Sequence, residues 1–295
     1  MHYAVGIDLG GSSVKAVAIT DAGDVLQKHN QDFNPAREMD FANTIKVLLQ
    51  RIQLELKHAP ACVGVAAPGL ASSDGLSIAY MPGRLEGLES LNWTRFLGLE
   101  RNVPVLNDAQ AALLGEGWTG AAKGMRNVIM ITLGTGVGGA AIVDGRLLRG
   151  AIGRAGHLGH SCLDMNAPPD ITGIPGSIEY LIGNYSIQER TGNRYKSTHQ
   201  LIDAYRAGDA IAAKHWLESL RALACGISSY INILDPDAII LGGGIARAGR
   251  DLFEPLEKYL RPVEWQPGGH SVRLLPAQLG EFAGAIGSAK NALNQ

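Results

Sequence analysis

Three glycine-rich turns, two aspartates and a histidine pair carry most of the chemistry that this sequence offers. Asp8 ends an apolar run and is followed by Leu9-Gly10-Gly11-Ser12-Ser13. Gly134-Thr135-Gly136-Val137-Gly138-Gly139 and Gly242-Gly243-Gly244 also follow apolar runs. A turn without Cβ atoms lets backbone N–H groups approach a phosphate, and Ser12, Ser13 and Thr135 add hydroxyl donors. Any one of these turns also reads as a plain tight hairpin; three together point to a nucleotide held between two halves of the chain. None fits G-x-x-x-x-G-K-[ST]. The first two run into strands rather than helices, which argues against a dinucleotide fingerprint.

The two aspartates each have two readings. Asp8 could hold Mg²⁺ through water beside phosphates, or cap its turn by accepting backbone N–H bonds. Asp108, in Pro104-Val105-Leu106-Asn107-Asp108-Ala109, stands between a short apolar strand and a helix. There it could accept the proton of an attacking hydroxyl, or serve as a helix N-cap. Gly156-His157-Leu158-Gly159-His160-Ser161-Cys162 gathers two histidines and a thiol. With Asp164 or Asp170 these could start a metal site, although structural zinc draws more heavily on cysteine. The other reading is histidines that bond a substrate or the core.

The elements that must position these groups repeat. Residues 4–19, AVGIDLGGSSVKAVAI, match residues 128–143, VIMITLGTGVGGAAIV, at a fixed offset of 124. Ile7 falls on Ile131, Leu9 on Leu133, Gly10 on Gly134 and Ala16 on Ala140. Each copy then meets a turn signal, Asp21-Ala22-Gly23 or Asp144-Gly145, so each half opens as strand, glycine turn, strand, turn, strand. Apolar spacing predicts helices over 40–58, 109–118 and 208–234, the last ended by Asp235-Pro236. Buried strands are expected at 62–66 and 238–241, and a loop at 164–176. The whole reads as a duplicated α/β unit.

Composition sets the outer bounds. The 295 residues include 38 glycines, well above the roughly 7% average, yet without a G-X-Y period or matching proline. With 46% hydrophobic and 18% charged residues the chain can bury a large core. A formal net charge of -2 gives no footprint for nucleic acid or an anionic membrane. No apolar run reaches the ~18 residues of a membrane span, and the N-terminus has no basic leader segment. Three cysteines, Cys62, Cys162 and Cys225, fit a reducing cytosol, so a cytoplasmic location is expected.

With these motifs assembled, the chain resembles the ROK family of sugar kinases, within the actin/hexokinase-like superfamily. Asp8-Leu9-Gly10-Gly11-Ser12 is similar to the family's D-x-G-G-T phosphate loop, and Gly64-Val65-Ala66-Ala67-Pro68-Gly69 to its G-x-x-x-P-G segment. Asn107-Asp108-Ala109 matches N-D-A, in which the Asp is the catalytic base and the Asn a sugar ligand. Gly134–Gly139 matches the second phosphate loop, and Asp235-Pro236-Asp237 through Gly244 the adenosine-side segment. Two departures stand out. His157 replaces the sugar-binding Glu of G-E-x-G-H, a replacement also found in members resembling N-acetylmannosamine kinases. The zinc motif C-x-C-G-x-x-G-C-x-E reads Asp170-Ile171-Thr172-Gly173-Ile174-Pro175-Gly176-Ser177-Ile178-Glu179, with all three cysteines gone.

The resemblance implies an α/β, duplicated, ribonuclease H-like two-domain fold with a central cleft. The expected domains are 1–116, joined by a returning C-terminal helix at 283–295, and 117–282. It implies an ATP-dependent kinase acting on a hydroxyl, the 6-OH, of a hexose or N-acylated hexosamine. Asp108 is the expected base. Asn107, His157, His160, Glu179, Gly69 and Arg84 are the expected sugar-side residues, Arg84 also being readable as a solvated surface group. Asp8, Gly10, Gly11, Ser12, Ser13, Lys15, Gly134, Thr135, Gly136, Gly243 and Gly244 are the expected nucleotide-side residues. ATP and Mg²⁺ are implied, with Asp8 holding the ion through water; zinc is expected to be absent, and a homodimer is implied. The family also contains sugar-sensing repressors, which place a DNA-binding helix-turn-helix before the first phosphate strand. Only seven residues precede Asp8 here, which disfavours DNA binding. An actin-like polymer would leave Asn107, Asp108 and Glu179 without a role.

Overall fold

The computed structural model describes residues 2–83 and 85–295. The strands are β1 (Ala4–Leu9), β2 (Ser13–Ile19), β3 (Val25–Asp32), β4 (Cys62–Ala67), β5 (Leu70–Ala71), β6 (Ile78–Tyr80), β7 (Val105–Asn107), β8 (Val128–Leu133), β9 (Val137–Val143), β10 (Arg146–Leu147), β11 (Ala238–Gly242) and β12 (Arg273–Pro276). The helices are α1 (Asp40–Leu56), α2 (Trp93–Leu97), α3 (Asp108–Thr119), α4 (Ile178–Ile182), α5 (Ile187–Arg190), α6 (Thr198–Arg206), α7 (Ala210–Leu234), α8 (Arg250–Leu260) and α9 (Ala283–Leu293). No described helix is long and apolar enough to cross a membrane.

The chain forms two compact units. The first holds residues 1–124, 147–155 and 278–295; the second holds 125–146 and 156–277. These boundaries differ from a division at 116/117 and 282/283. Helix α3 runs on to Thr119, and the buried Glu116 carboxylate ties both Ala121 and Gln278 to the first unit.

Each unit is built on a five-stranded sheet, ordered β3-β2-β1-β4-β7 in the first and β10-β9-β8-β11-β12 in the second. In both, the opening hairpin is antiparallel (β1 with β2, β8 with β9) and the later strands join in parallel (β4 on β1, β11 on β8). The repeat read from sequence is therefore a repeat of topology, but one alignment shifts. Leu9 pairs with Val14 across a four-residue turn, whereas Leu133 pairs with Val137 across three residues. Beyond the turn the offset is 123. Ala16, opposite Ile7, corresponds to Gly139, opposite Ile131, and not to Ala140.

Alternation sorts β1 between two layers, as a strand's twofold side-chain period requires. Tyr3, Val5, Ile7 and Leu9 pack into the core that includes Phe41, Ile45, Leu48, Leu49 and Ile52 of α1. Ala4 faces the other way, toward Ala285, Ile286 and Ala289 of α9. Burying each large side chain of α1 contributes about 1.5–3 kcal/mol, and this packing rather than propensity supplies most of the helix's stability. Helix α1 ends at Leu56, two residues before the expected limit, because Lys57 takes a left-handed conformation. Helix α9 lies directly on the strands. A Cβ on Gly64 would stand 2.1 Å from the Ser288 carbonyl oxygen, so the helix axis comes nearer than a side chain would permit.

In the second unit, α7 packs with α4, α6 and α8. It starts at Ala210, two residues later than expected. The Asp209 carboxylate caps it by accepting the N–H groups of Ile211 (2.8 Å) and Ala212 (3.1 Å). Residues 164–176 contain no helix or strand, in keeping with their prolines.

Candidate active site

Within the first unit the structure gathers Asp8, Gly10, Gly11, Gly69, Asn107 and Asp108. Leu9, Gly10, Gly11, Pro68 and Asp108 share the wall of one cavity of about 910 Å³ with residues of the 81–89 segment. Arg84, expected on the sugar side, lies outside the described residues.

The helix cap at this point is Asn107, not Asp108. Asn107 Oδ1 accepts the Ala109 N–H at 3.0 Å, and its Nδ2 donates to the Gly69 carbonyl at 3.0 Å. Asn107 is buried, so these bonds fix the junction of β7 and α3. Asp108 is exposed on the first turn of α3 and accepts the Ala109 N–H through Oδ1 at 2.8 Å. Gly69, expected at the sugar, has a fold reason for being glycine. Its φ is +102°, and a Cβ there would stand 2.7 Å from the Tyr80 carbonyl oxygen.

Gly11 is different. It has an ordinary φ and no atom within 4 Å of where a Cβ would stand. Gly134, in the corresponding turn of the second unit, shares both properties. The fold requires glycine at neither place, so a side chain there would meet no other part of the protein.

Asp8 sits on β1 directly opposite Lys15 of β2. Burial pushes its carboxyl up to about 7; the charge of Asp108 adds to the rise and Lys15 offsets part of it. A divalent cation fits this corner, because it would relieve both the desolvation and the repulsion between the carboxylates. Ser12, Ser13 and Lys15 complete the turn and its following strand; Ser12 is exposed, and its carbonyl accepts the Phe33 N–H at 3.0 Å.

The second unit gathers Gly134, Thr135, Gly136, Gly243, His160 and Glu179. Glu179, on α4, lies under the second glycine turn: its Oε2 accepts the Val137 N–H at 2.9 Å. Gly243, at φ +87°, packs against β8, where a Cβ would meet the Leu133 carbonyl oxygen at 2.3 Å. Gly244 follows it at the start of a single helical turn. His157 precedes the turn formed by Leu158–His160 and is half-buried. That turn is braced twice: Tyr230 of α7 donates its hydroxyl to the Leu158 carbonyl, and Gly159 sits against the Val137 carbonyl. The expected sugar-side residues thus divide between the units, Asn107 and Gly69 in the first and His157, His160 and Glu179 in the second.

The loop that bears the altered zinc motif is organised around Asp170, which sequence reading named only as a spare ligand. His160 Nδ1 lies 2.8 Å from Asp170 Oδ2. Asp170 Oδ1 accepts the Thr172 N–H (2.8 Å), the Thr172 hydroxyl (2.7 Å) and the Ile174 N–H (3.2 Å). Burial by itself would raise this carboxyl. The hydrogen bonds from His160, Thr172 and Ser177 outweigh burial and hold it down at about 2. The ionised carboxylate is an acceptor only, so Nδ1 of His160 is the protonated nitrogen.

His160, Asp170 and Glu179 bring potential metal-binding atoms within 4.8 Å of one another. The donor set does not fit structural zinc. Asp170, Thr172 and Ser177 stand where cysteines would be needed, and the Asp170 oxygens and one Glu179 oxygen already hold protein donors. Cys162 is exposed and is not part of the cluster.

Comparison with known proteins decides the family, whose model matches residues 4–295. The chain belongs to the ROK family. It is 30% identical to a glucokinase of Thermotoga maritima over 97% of this chain and 95% of that one. A xylose repressor of Bacillus spizizenii is 26% identical over 97% of this chain and 75% of the repressor. Among solved structures, a ROK hexokinase from Thermus thermophilus superposes with a TM-score of 0.88 at 29% identity, covering 99% and 98% of the two chains. A ROK glucokinase from Streptomyces griseus, solved with glucose and AMPPNP, gives 0.79 at 26% identity over 99% and 100%. The ROK protein therefore has the duplicated α/β fold of the actin/hexokinase-like sugar kinases.

Proposed function

We propose that this ROK protein is an ATP-dependent sugar kinase that transfers the γ-phosphoryl group to the 6-hydroxyl of a hexose or N-acylated hexosamine. The observation that carries the reading is the cavity of the first unit, whose wall holds both the exposed Asp108 carboxylate and the Gly10-Gly11 turn. A proton acceptor and a phosphate cradle in one cavity are what phosphoryl transfer to an alcohol needs.

Asp108 orients the hydroxyl and takes its proton as attack proceeds. Asn107 fixes the backbone from which Asp108 projects, and its second Nδ2–H serves as a sugar donor. His157, His160 and Glu179 supply hydrogen bonds to ring hydroxyls. The turns at 10–13 and 134–136, with Lys15, bind phosphate oxygens, while Gly243 and Gly244 lie on the adenosine side. Asp8 would hold Mg²⁺ through water, and the bound ion would supply charge neutralisation at the transferred group. Positioning and electrostatics provide most of the rate in such a site. A homodimer belongs to the same reading and is checked by light scattering during gel filtration.

The similarity to a xylose repressor favours one alternative, a sugar-sensing regulator without turnover. ADP release measured across a panel of hexoses and N-acylated hexosamines, with ATP and Mg²⁺, separates the two. Saturable sugar-dependent release is expected. Calorimetric binding of a sugar with no ADP release from any of the panel would replace the kinase reading with the sensor.

A further inference from the structure

The motif at 170–179 has lost every cysteine, yet its loop is closed. Leu163 N–H donates to the Gly176 carbonyl at 2.9 Å, and Ile178 N–H to the Ser161 carbonyl at 3.1 Å, so the two ends of the loop run side by side. The buried Asp170 carboxylate accepts from His160, just before the loop, and from Thr172 and Ile174 within it. Ser177 caps α4 by accepting the Tyr180 N–H at 3.1 Å, and its proximity helps to hold the Asp170 carboxyl down. The side chains at positions 160, 170 and 172 therefore meet through hydrogen bonds in the segment where the motif has lost its cysteines.

We propose that Asp170 is a metal-free clasp that replaces zinc in closing the 161–177 loop, and a positioning residue that sets the ring orientation and tautomer of His160. With Nδ1–H committed to Asp170, His160 presents Nε2 as an acceptor. Outer partners of this kind determine how a histidine ring is aimed, as carboxylates do behind metal-bound histidines. The acceptor role toward a sugar hydroxyl rests on the kinase reading; the clasp does not.

The test uses the full-length protein, its Asp170→Asn and Asp170→Ala variants, and Thr172→Val as a milder change. Metal content is measured by mass spectrometry after dialysis, and thermal unfolding is followed with and without EDTA or added Zn²⁺. The wild-type protein is expected to hold far less than one equivalent of any transition metal and to unfold at the same temperature in all three conditions. Hydrogen exchange at the Thr172 and Ile174 amides is expected to accelerate at least tenfold in Asp170→Ala and less in Thr172→Val. If Asp170→Ala does not fold, Asp170→Asn and Thr172→Val give the same comparison. For the second half, Asp170→Asn is expected to raise the sugar KM about tenfold with kcat within a few-fold, the scale of outer-partner effects. Stoichiometric zinc whose removal lowers the unfolding temperature would overturn the clasp, as would unchanged exchange in the Asp170 variants. An unchanged KM beside altered exchange would overturn the positioning role alone. A wild-type protein that phosphorylates no sugar would sink the kinase reading, leaving the metal and exchange results to decide the clasp.

Discussion

Asp8 and Gly284 meet so closely that a Cβ on residue 284 would stand 2.5 Å from Asp8 Oδ2. The strand thus delivers a carboxylate against the first turn of α9, in the same corner as the charge of Asp108. Burial, then Asp108, raise the Asp8 carboxyl to about 7 despite Lys15. The folded form therefore keeps a proton that the unfolded chain gives up at about pH 4. Between roughly pH 4 and 7 the native state binds more protons, so stability falls as pH rises, and it levels off above 7. Asp8→Asn abolishes this slope. In urea unfolding with EDTA, the variant is expected to gain about 1–3 kcal/mol on the wild-type protein between pH 5 and pH 8. A constant difference across that range would show that Asp8 ionises normally.

The glycines fall into two kinds that substitution distinguishes. A Cβ on Gly287 would stand 1.7 Å from the Ala111 carbonyl oxygen, and one on Gly64 would stand 2.1 Å from that of Ser288. Both collisions are with backbone, so Gly287→Ala and Gly64→Ala are expected to cost at least about 2–3 kcal/mol through forced separation of the packed elements. Gly11→Ala and Gly134→Ala meet nothing and are expected to change stability by less than about 0.5 kcal/mol. On the kinase reading these two should instead raise the KM for ATP. Urea unfolding and nucleotide kinetics on the four variants check both halves of the contrast.

How much of this was legible follows from what each residue interacts with. The strand–turn–strand repeat, the helix at 40–56 and the buried strand before Gly242 are local patterns of apolar spacing, and the sequence displays them. The shift of Ala16 from Ala140 to Gly139 was hidden, because a turn shorter by one residue shows only in the pairing register. The glycine excess reads from sequence as backbone that must approach ligands. Gly64 and Gly287 show that part of it serves contact of α9 with β4 and α3, pairs distant in sequence. Asn107 and Asp108 are both good caps by type, and the structure shows Asn107 in the cap. Asp170 reads from sequence only as a spare metal ligand, whereas the structure makes it the hydrogen-bond centre of its loop. The signal was present, since an acidic residue stands where the motif calls for a metal-binding thiolate.

Because Asn107 caps α3, Asp108 can be changed without undoing the helix. Asp108→Asn is expected to fold with an unfolding temperature within a few degrees of the wild-type protein. Its sugar-dependent ADP release should fall by at least 10²–10⁴-fold, the usual contribution of a positioned general base. Sugar binding, measured by calorimetry, should stay within about tenfold. Retention of near-normal turnover would remove Asp108 from the base role.

Glu116 gives the last prediction. It is fully buried on α3, and its oxygens accept three backbone N–H groups: Ala121 at 2.7 Å, Gln278 at 2.9 Å and Leu279 at 2.8 Å. Ala121 lies just before the chain first leaves the first unit, and Gln278 is where it last returns. One carboxylate therefore ties down that first exit and that last return, two of the four crossings, by buried hydrogen bonds. Glu116→Gln keeps the shape but puts an amide N–H₂ against one set of donors, and Glu116→Ala leaves all three N–H groups without an acceptor. Losses of about 2–3 kcal/mol for Gln and more for Ala are expected from the desolvation of those groups. Chemical unfolding of the two variants measures the losses. Amide exchange should quicken at Ala121, Gln278 and Leu279 before it does in the β1–β4 core. A Gln variant as stable as the wild-type protein, with those three amides equally protected, would show that the acceptor charge is not needed.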